Sequence, residues 1–226
     1  MTAIAIDGPA GAGKSTIARA VAQRLGYLYV DTGALYRAIG LAVFEQGDDT
    51  ADPDVVIPAL KQIKVELRFI DGEQRVFLNG RDVSADIRRN EISMAASNVS
   101  AIPAVREFLF ELQRSFAKNN HVVMDGRDIG TVVLPHAQVK IFLTASAEER
   151  ARRRFEELTQ KGQQVDYDML LAEVRQRDYN DSHRAVAPLK QADDAILADT
   201  TELDFEESFR LLCDIVVNKL SLQTED

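Results

Sequence analysis

The stretch "GPAGAGKS", residues 8–15, has the residue types and the spacing of a phosphate-binding loop. Four residues separate Gly8 from the run Gly13, Lys14 and Ser15, and the stretch lies between an apolar run and a segment with helical spacing. Glycines let backbone N–H groups approach an anion closely, and the N-terminus of the following helix adds partial positive charge. Lys14 can reach β- and γ-phosphates, and the Ser15 hydroxyl can hold Mg²⁺. The pattern therefore predicts a nucleoside triphosphate site rather than a turn with a surface lysine.

The residues predicted to hold ATP are those of this loop and of the first helical turn after it: Gly8, Pro9, Ala10, Gly11, Ala12, Gly13, Lys14, Ser15 and Thr16. The loop alone does not identify a reaction. The N-K-x-D motif of GTPases and the L-S-G-G-Q signature of transporter ATPases are both absent from the sequence. Other residues must indicate which molecule accepts the phosphoryl group.

Arginines are placed where a second anion would bind. Arg37 and Arg127 follow predicted strands, near the strand ends at which open α/β sheets bind their ligands. Two further sets have helical spacing and would each share one face, provided that the second helix runs far enough: Arg150, Arg153 and Arg154, and Arg177, Asp181 and Arg184. The alternative for any single arginine is that it lies on a solvent-exposed helix face and pairs with a glutamate. Several arginines around a phosphate loop nevertheless favour an enzyme that joins two polyanions, since guanidinium groups suit phosphate. An anionic acceptor needs no general base.

The stretch "HVVMDGRDIGTVV", residues 121–133, brings three charges to the end of an apolar, β-branched run. Asp125, Arg127 and Asp128 follow the buried strand "HVVM", and Gly126 and Gly130 loosen the backbone between and after them. Charged side chains at this position are typical of a site and not of a core. We therefore interpret the stretch as the second part of the same site.

The elements that would carry these residues alternate between strands and helices, which predicts an α/β fold with a parallel sheet. Strands are predicted at "TAIAI", "YLYV", "HVVM", "VKIFLT" and "AILAD", and helices at 15–25, from Asp31 to about Gly47, from about Pro103, at 147–161, at 168–183 and at 204–220. The segment of about 53–102 departs from this rhythm. It alternates apolar and polar residues around two turn dipeptides, Asp71-Gly72 and Asn79-Gly80, and predicts a small antiparallel insert.

The composition narrows the classes of protein. The chain has 226 residues and a formal net charge of −9, which argues against a general nucleic-acid binder. It contains no apolar run long enough to span a membrane and no secretion signal at its start, and its single cysteine, Cys213, suits a reducing cytosol. We expect a cytoplasmic protein whose partners are small molecules.

Four segments together resemble the bacterial cytidylate kinases of the nucleoside monophosphate kinase family: "IDGPAGAGKST", "DTGALYRA", "DGRDIGTVV" and "RAVAPL". The resemblance covers residues 4 to about 200 in the same order and includes the insert. It implies a P-loop kinase core with a parallel sheet flanked by helices (1–40, 103–146 and 185–226), a monophosphate-binding insert with a small antiparallel sheet (41–102) and a helical lid (147–184). It also implies a monomer that transfers the γ-phosphoryl group of ATP to CMP or dCMP with Mg²⁺.

The resemblance assigns roles to individual residues. Thr32, Tyr36 and Arg37 would line the CMP site, and Arg127, Arg177 and Arg184 would join Arg37 at its phosphate. Ser97, Arg106 and Asp128 would contact cytosine, and Asp181 the sugar hydroxyls. Catalysis would rest on Lys14, Arg127, Arg177 and Arg184, and the metal would be held by Ser15 and, through water, by Asp125. Adenine would lie near Asp199–Leu203 and stack on Arg153.

Two other functions stay open from the sequence. One is a kinase of the same fold that acts on another small acceptor, such as UMP or shikimate. The other is a nucleotide-sensing protein with a vestigial site, against which the intact Lys14 and Ser15 speak.

Overall fold

The structure is a computed structural model that describes residues 1–222, apart from the side chains of Asn90 and Leu222. The chain divides into two compact units. The core unit consists of Met1–Tyr29 and of the chain from Asn120 onward, and the insert unit is Val30–Asn119. The strands β1–β8 and the helices α1–α8 are numbered in chain order.

The core unit is built on a five-stranded sheet with the order β2-β6-β1-β7-β8. Its strands are β1 (Ala3–Asp7), β2 (Leu28–Asp31), within which the chain passes to the insert unit, β6 (Val122–Gly126), β7 (Val139–Thr144) and β8 (Ile196–Asp199). β1 pairs in parallel with both β6 and β7, and β7 pairs in parallel with β8. All five predicted strands and the predicted α/β class are confirmed. The sheet places the ends of β1 and β6 side by side, since Asp7 is in register with Gly126.

The helices of the core unit are α1 (Lys14–Leu25), α6 (Ala147–Gln160), α7 (Tyr167–His183) and α8 (Phe205–Leu222). α1 buries Ile17 and Val21, and α8 buries Leu212 and Val216 in the same apolar cluster. Each such side chain contributes about 1.5–3 kcal/mol by leaving water. Gly26 directly follows α1 and caps it with a φ of 68°, the left-handed conformation that glycine adopts readily.

The insert unit contains an antiparallel sheet of β3 (Val65–Ile70), β4 (Glu73–Leu78) and β5 (Arg81–Asp82). Both predicted hairpin turns are present. Asp71 and Gly72 have φ values of 54° and 79°, and Asn79 and Gly80 have φ values of 50° and 84°. Positive φ at both central residues is the geometry of a two-residue turn that matches the twist of the strands.

Four helices complete the insert unit: α2 (Gly33–Phe44), α3 (Pro53–Ala59), α4 (Asn90–Ser100) and α5 (Pro103–Asn119). The sequence predicted α2 and α5 but missed α3 and α4, because the whole segment 53–102 was interpreted as antiparallel strands. α4 packs closely on α2 at Gly40, where an added Cβ would lie 2.9 Å from backbone atoms of Ala95 and Ala96. The division into core, insert and lid given above stays a prediction.

Candidate active site

The phosphate loop connects β1 to α1 in the core unit, as the sequence predicted. Gly8, Gly11 and Gly13 have φ values of 150°, 76° and 83°. At Gly8 an added Cβ would lie 1.9 Å from the carbonyl oxygen of Leu143, so only glycine fits there. The loop therefore has the backbone shape that lets consecutive N–H groups turn toward an anion.

Lys14 is the most constrained cation of this loop. Its side chain is only 5% exposed, and its Nζ donates a hydrogen bond to the Pro9 carbonyl oxygen over 2.6 Å. Burial lowers the pKa of Lys14 well below its usual range and the positive charge of Arg127 lowers it further, while Asp125 and Asp181 act in the opposite direction. Two cations that repel each other in a buried place would both be stabilised by a polyanion.

Ser15 and Asp125 offer oxygen atoms beside the loop. The Ser15 hydroxyl donates to Asp125 Oδ2 over 2.8 Å, and the Tyr29 hydroxyl donates to Asp125 Oδ1 over 3.1 Å. Residues 1–222 contain no group of three or more His, Cys, Asp or Glu side chains that could enclose a metal ion. One carboxylate and one hydroxyl fit Mg²⁺, which usually takes one or two protein ligands and completes its shell with phosphate and water oxygens.

Asp7, at the end of β1, is a site residue that sequence reasoning missed. Its Oδ1 accepts the N–H of Ile129 over 2.8 Å and its Oδ2 accepts the N–H of Gly130 over 2.7 Å. Burial raises the pKa of Asp7 to about 6, although the two N–H groups act to lower it. The carboxylate thus holds the backbone directly after Asp128. An acid that ends an apolar strand and precedes the phosphate loop was a signal visible in the sequence.

The backbone held by Asp7 forms one π-helical turn, Ile129–Val133. An added Cβ at Gly130 would lie 3.2 Å from Lys140 Cδ, which would have to shift by a few tenths of an ångström, and 3.4 Å from Asp7 Oδ2. Lys140 is itself fixed by Pro135 and Asp194, to whose oxygens its Nζ donates. Gly130 therefore lies where the side chains of Asp7 and Lys140 both come close to the backbone.

Arg127 and Asp181 form a half-buried ion pair. Arg127 Nε donates to Asp181 Oδ2 over 2.9 Å, and Arg127 Nη1 donates to the Gly126 carbonyl oxygen. Burial opposes the charges of both groups, but their mutual attraction outweighs it, so the pKa of Asp181 is lowered and the pKa of Arg127 is raised. The charges of Arg177 and Arg184 also lower the pKa of Asp181. The structure therefore brings together all four of these predicted residues.

Arg184 differs from the predicted arrangement in one respect. α7 ends at His183, so Arg184 follows the helix and does not lie on its face. Its Nε donates to the Ala187 carbonyl oxygen over 2.6 Å, and its Nη2 lies 3.7 Å from Oδ1 of the buried Asp128. The turn after α7, and not helical periodicity, brings this arginine to Asp128.

The three arginines of α6 singled out from the sequence have three different environments. Arg150 is buried and bonds to the phosphate loop and to α7. Arg153 donates to Glu149 and to the Thr200 carbonyl oxygen, both over 2.8 Å. Arg154 pairs with Glu157 in the manner of a solvated surface. The three arginines therefore lie on one helix, as predicted, but have different partners, and the stacking of adenine on Arg153 stays a prediction.

The insert unit holds the other five predicted substrate residues. Arg37 donates to the Ile87 carbonyl oxygen over 3.2 Å and to Ser93 Oγ over 3.3 Å. The guanidinium of the buried Arg106 lies 5.6 Å from the ring centroid of Tyr36. Ser97 lies on α4, and Thr32 directly precedes α2. Arg106 and Tyr36 are thus brought together within this unit.

Gln113 was missed by sequence reasoning. It is 1% exposed on α5, and its Nε2 lies 3.4 Å from the Tyr36 hydroxyl. A buried amide on the apolar face of a helix was the available signal.

Known proteins match this chain over most of its length. The cytidylate kinase family model matches residues 4–220. A cytidylate kinase of Caldicellulosiruptor bescii is 54% identical over 204 residues, which are 90% of this chain and 90% of that protein. A cytidylate kinase of Lactobacillus johnsonii is 48% identical over 96% of this chain and 94% of its own length.

The solved structure of an uncharacterized protein from Eubacterium ventriosum is 14% identical to this chain, with a TM-score of 0.51. The match covers 98% of this chain and 99% of that protein's chain, and it shows similarity of fold alone. The match of the family model includes residues of both units and every predicted site residue. The chain belongs to the cytidylate kinase family.

Proposed function

We propose that this protein transfers the γ-phosphoryl group of ATP to CMP or dCMP, giving ADP and the corresponding diphosphate. Its family consists of kinases, and the observation that carries the proposal is the cluster of cationic side chains in the core unit. Lys14 is buried with a lowered pKa beside Arg127, and Arg127, Arg177 and Arg184 surround Asp181. Such a concentration of fixed cations suits two polyanions that must be held against each other.

The reaction needs positioning and charge more than proton transfer. The acceptor phosphate is already an anionic nucleophile, so no general base has to be provided. Lys14 would bind the β- and γ-phosphates, and the three arginines would bind the acceptor phosphate and the transferring group. Arginines in this role accelerate phosphoryl transfer by about 10³–10⁵-fold.

Mg²⁺ would be held by the Ser15 hydroxyl and, through water, by Asp125. The ion, when bound, would neutralise charge on the β- and γ-phosphate oxygens. Ser15 and Asp125 support this assignment because their oxygens already lie 2.8 Å apart. Tyr29 would keep the carboxylate oriented through its hydrogen bond to Oδ1.

Cytosine would be recognised by Asp128, Arg106 and Ser97. A carboxylate suits the N4 amino group of cytosine, and a guanidinium suits its N3 and O2 acceptors. Uracil offers the opposite groups at two of these positions, and each buried mismatch costs about 1–3 kcal/mol. Asp181 would contact the sugar, and Thr32, Tyr36 and Arg37 would complete the binding of the nucleotide.

We also propose a monomer in the cytoplasm. The net charge of −9 and the single cysteine support small-molecule partners and a reducing compartment. No helix within residues 1–222 is long and apolar enough to cross a bilayer.

The test is the rate of ADP release with MgATP and, in parallel, CMP, dCMP, UMP, AMP or no acceptor. We expect rapid release only with CMP and dCMP. The variant Asp128→Asn should lose about tenfold in kcat/KM for CMP, because a neutral amide oxygen is a weaker acceptor for the N4 amino group than a carboxylate oxygen. The matched control is Asp71→Asn, since Asp71 has a φ of 54° in an exposed turn that asparagine tolerates equally well.

Three results would contradict parts of the proposal. No ADP release with any acceptor would remove the kinase function and favour a nucleotide sensor. Equal rates with UMP would remove the base recognition by Asp128. Equal rates without an acceptor would make the protein an ATPase.

A further inference from the structure

Arg150 of α6 contacts both the phosphate loop and α7 through the hydrogen bonds described above. It is 4% exposed. Its Nε donates to the Ala145 carbonyl oxygen over 2.9 Å, and its Nη1 donates to the Ala10 carbonyl oxygen of the phosphate loop over 3.0 Å. Its Nη1 and Nη2 also donate to the two carboxylate oxygens of Asp178, over 2.9 Å and 2.5 Å. Because Nε, Nη1 and Nη2 of this planar guanidinium are all hydrogen-bonded, the group has one available orientation.

The phosphate loop also packs on the stem of Arg150. A Cβ placed on Gly11 would lie 3.5 Å from Arg150 Cβ, so the loop backbone passes directly over the side chain. A change in the backbone at Ala10 and Gly11 must therefore either move the guanidinium or break its bond to the Ala10 carbonyl oxygen. Close-packed groups of this kind transmit a displacement.

Asp178 is at the other end of this connection. It lies on α7 directly after Arg177 and three residues before Asp181, which places it one turn from the ion pair with Arg127. A carboxylate bound by two N–H groups of a buried guanidinium is costly to separate from it. The position of this turn of α7 is therefore tied to the position of Arg150.

We propose that Arg150 is a positioning residue that couples the phosphate loop to α7. Nucleotide in the loop fixes the Ala10 carbonyl oxygen, Arg150 keeps its bidentate bond to Asp178, and α7 presents Arg177 and Asp181 for the acceptor. The inference rests on the proposed function, since it takes CMP as the ligand of these residues. Its consequence is that ATP and CMP bind with positive cooperativity that depends on the Arg150–Asp178 pair.

A second ion pair joins the same two helices and provides a matched control. Arg175 Nη2 of α7 lies 2.6 Å from Glu148 Oε1 of α6, and both side chains are more than half exposed. Neither residue contacts the phosphate loop in any described hydrogen bond or ion pair of residues 1–222. If Arg150 and Asp178 merely hold α6 against α7, the two pairs should have similar effects on binding.

The experiment is calorimetric titration of the full chain with CMP, with and without saturating Mg²⁺ and the non-hydrolysable ATP analogue AMP-PNP. We expect the analogue to tighten CMP binding by about tenfold in the wild type, within the usual range of coupling between sites. In Asp178→Asn and in Arg150→Lys the enhancement should fall to less than about twofold. In Arg175→Gln it should keep its wild-type value.

The wild type is titrated first, so that the two proposals are tested separately. Binding of CMP to the wild type without any effect of AMP-PNP would overturn the coupling and leave the proposed function in place. Enhancement that persists in Asp178→Asn, or that is lost equally in Arg175→Gln, would overturn the role of Arg150. No binding of CMP to the wild type would overturn the proposed function and the coupling with it.

Discussion

The substitution Asp7→Asn removes the buried carboxylate that accepts the N–H groups of Ile129 and Gly130. The carboxylate holds the backbone after Asp128, but its charge is unfavourable in a place that is only 5% exposed. An asparagine is uncharged at every pH and nearly the same shape. The variant therefore separates the effect of the charge from the effect of side-chain volume.

The size and the sign of the effect follow from the pKa of Asp7. Its ordinary value is 3.8, and burial raises it to about 6 in the folded protein. Between these two pH values the folded protein retains a proton that the unfolded chain has released. The resulting stabilisation is complete below pH 3.8 and is lost as the pH rises through about 6. At about 1.4 kcal/mol per pH unit, the loss is about 3 kcal/mol.

The assay is urea unfolding of both proteins between about pH 4 and about pH 7, followed by far-ultraviolet circular dichroism because the chain has no tryptophan. Titrating groups distant from Asp7 are common to the two proteins and cancel in the difference. We expect the free energy of unfolding of the wild type, minus that of Asp7→Asn, to fall by about 2.4 kcal/mol between about pH 4 and about pH 7, because the unfolded carboxyl is already partly ionised at the lower limit. The hydrogen bond that the asparagine loses adds a constant offset.

Asp199→Asn is the matched control. Hydrogen bonds from the side chain and the backbone of Thr201 lower the pKa of this exposed aspartate below 3.8, so its titration lies outside the range of the assay. The difference between the wild type and this variant should stay level. A level difference for Asp7→Asn as well would refute the reasoning, because the Asp7 carboxylate would then not be destabilised by burial.

Three further outcomes can be checked by simpler measurements. Gly40→Ala should lower the free energy of unfolding by about 1–3 kcal/mol in urea, because its Cβ would meet the backbone of Ala95 and Ala96; unchanged stability would refute the close packing of α2 on α4. Thr131→Val should raise the melting temperature, because the buried Thr131 hydroxyl has no hydrogen-bond partner among the described residues; a lower melting temperature would indicate a partner for it. Lys14→Met should lose at least about 100-fold in kcat with CMP while keeping a wild-type circular dichroism spectrum, since it removes a cation from the phosphates; substantial remaining turnover would contradict the role of Lys14.

Local features were predictable from the sequence because their physical causes are local. The phosphate loop is specified by glycines that must adopt positive φ and by a lysine and a serine next to them. The two hairpin turns depend on Asp71-Gly72 and Asn79-Gly80, and the strands depend on short apolar runs. The helices α3 and α4 were missed because the alternating pattern around them was extended too far along the chain.

The sequence by itself determined the α/β class, the phosphate loop and, through the resemblance, the family and the predicted site residues. Only the tertiary structure determined which partners the buried charged residues bind. Asp7 binds backbone 122 residues away, and Arg150 binds a carbonyl oxygen 140 residues away. Such contacts have no periodicity in the sequence, because they arise only when the parallel sheet brings the ends of distant strands to one edge.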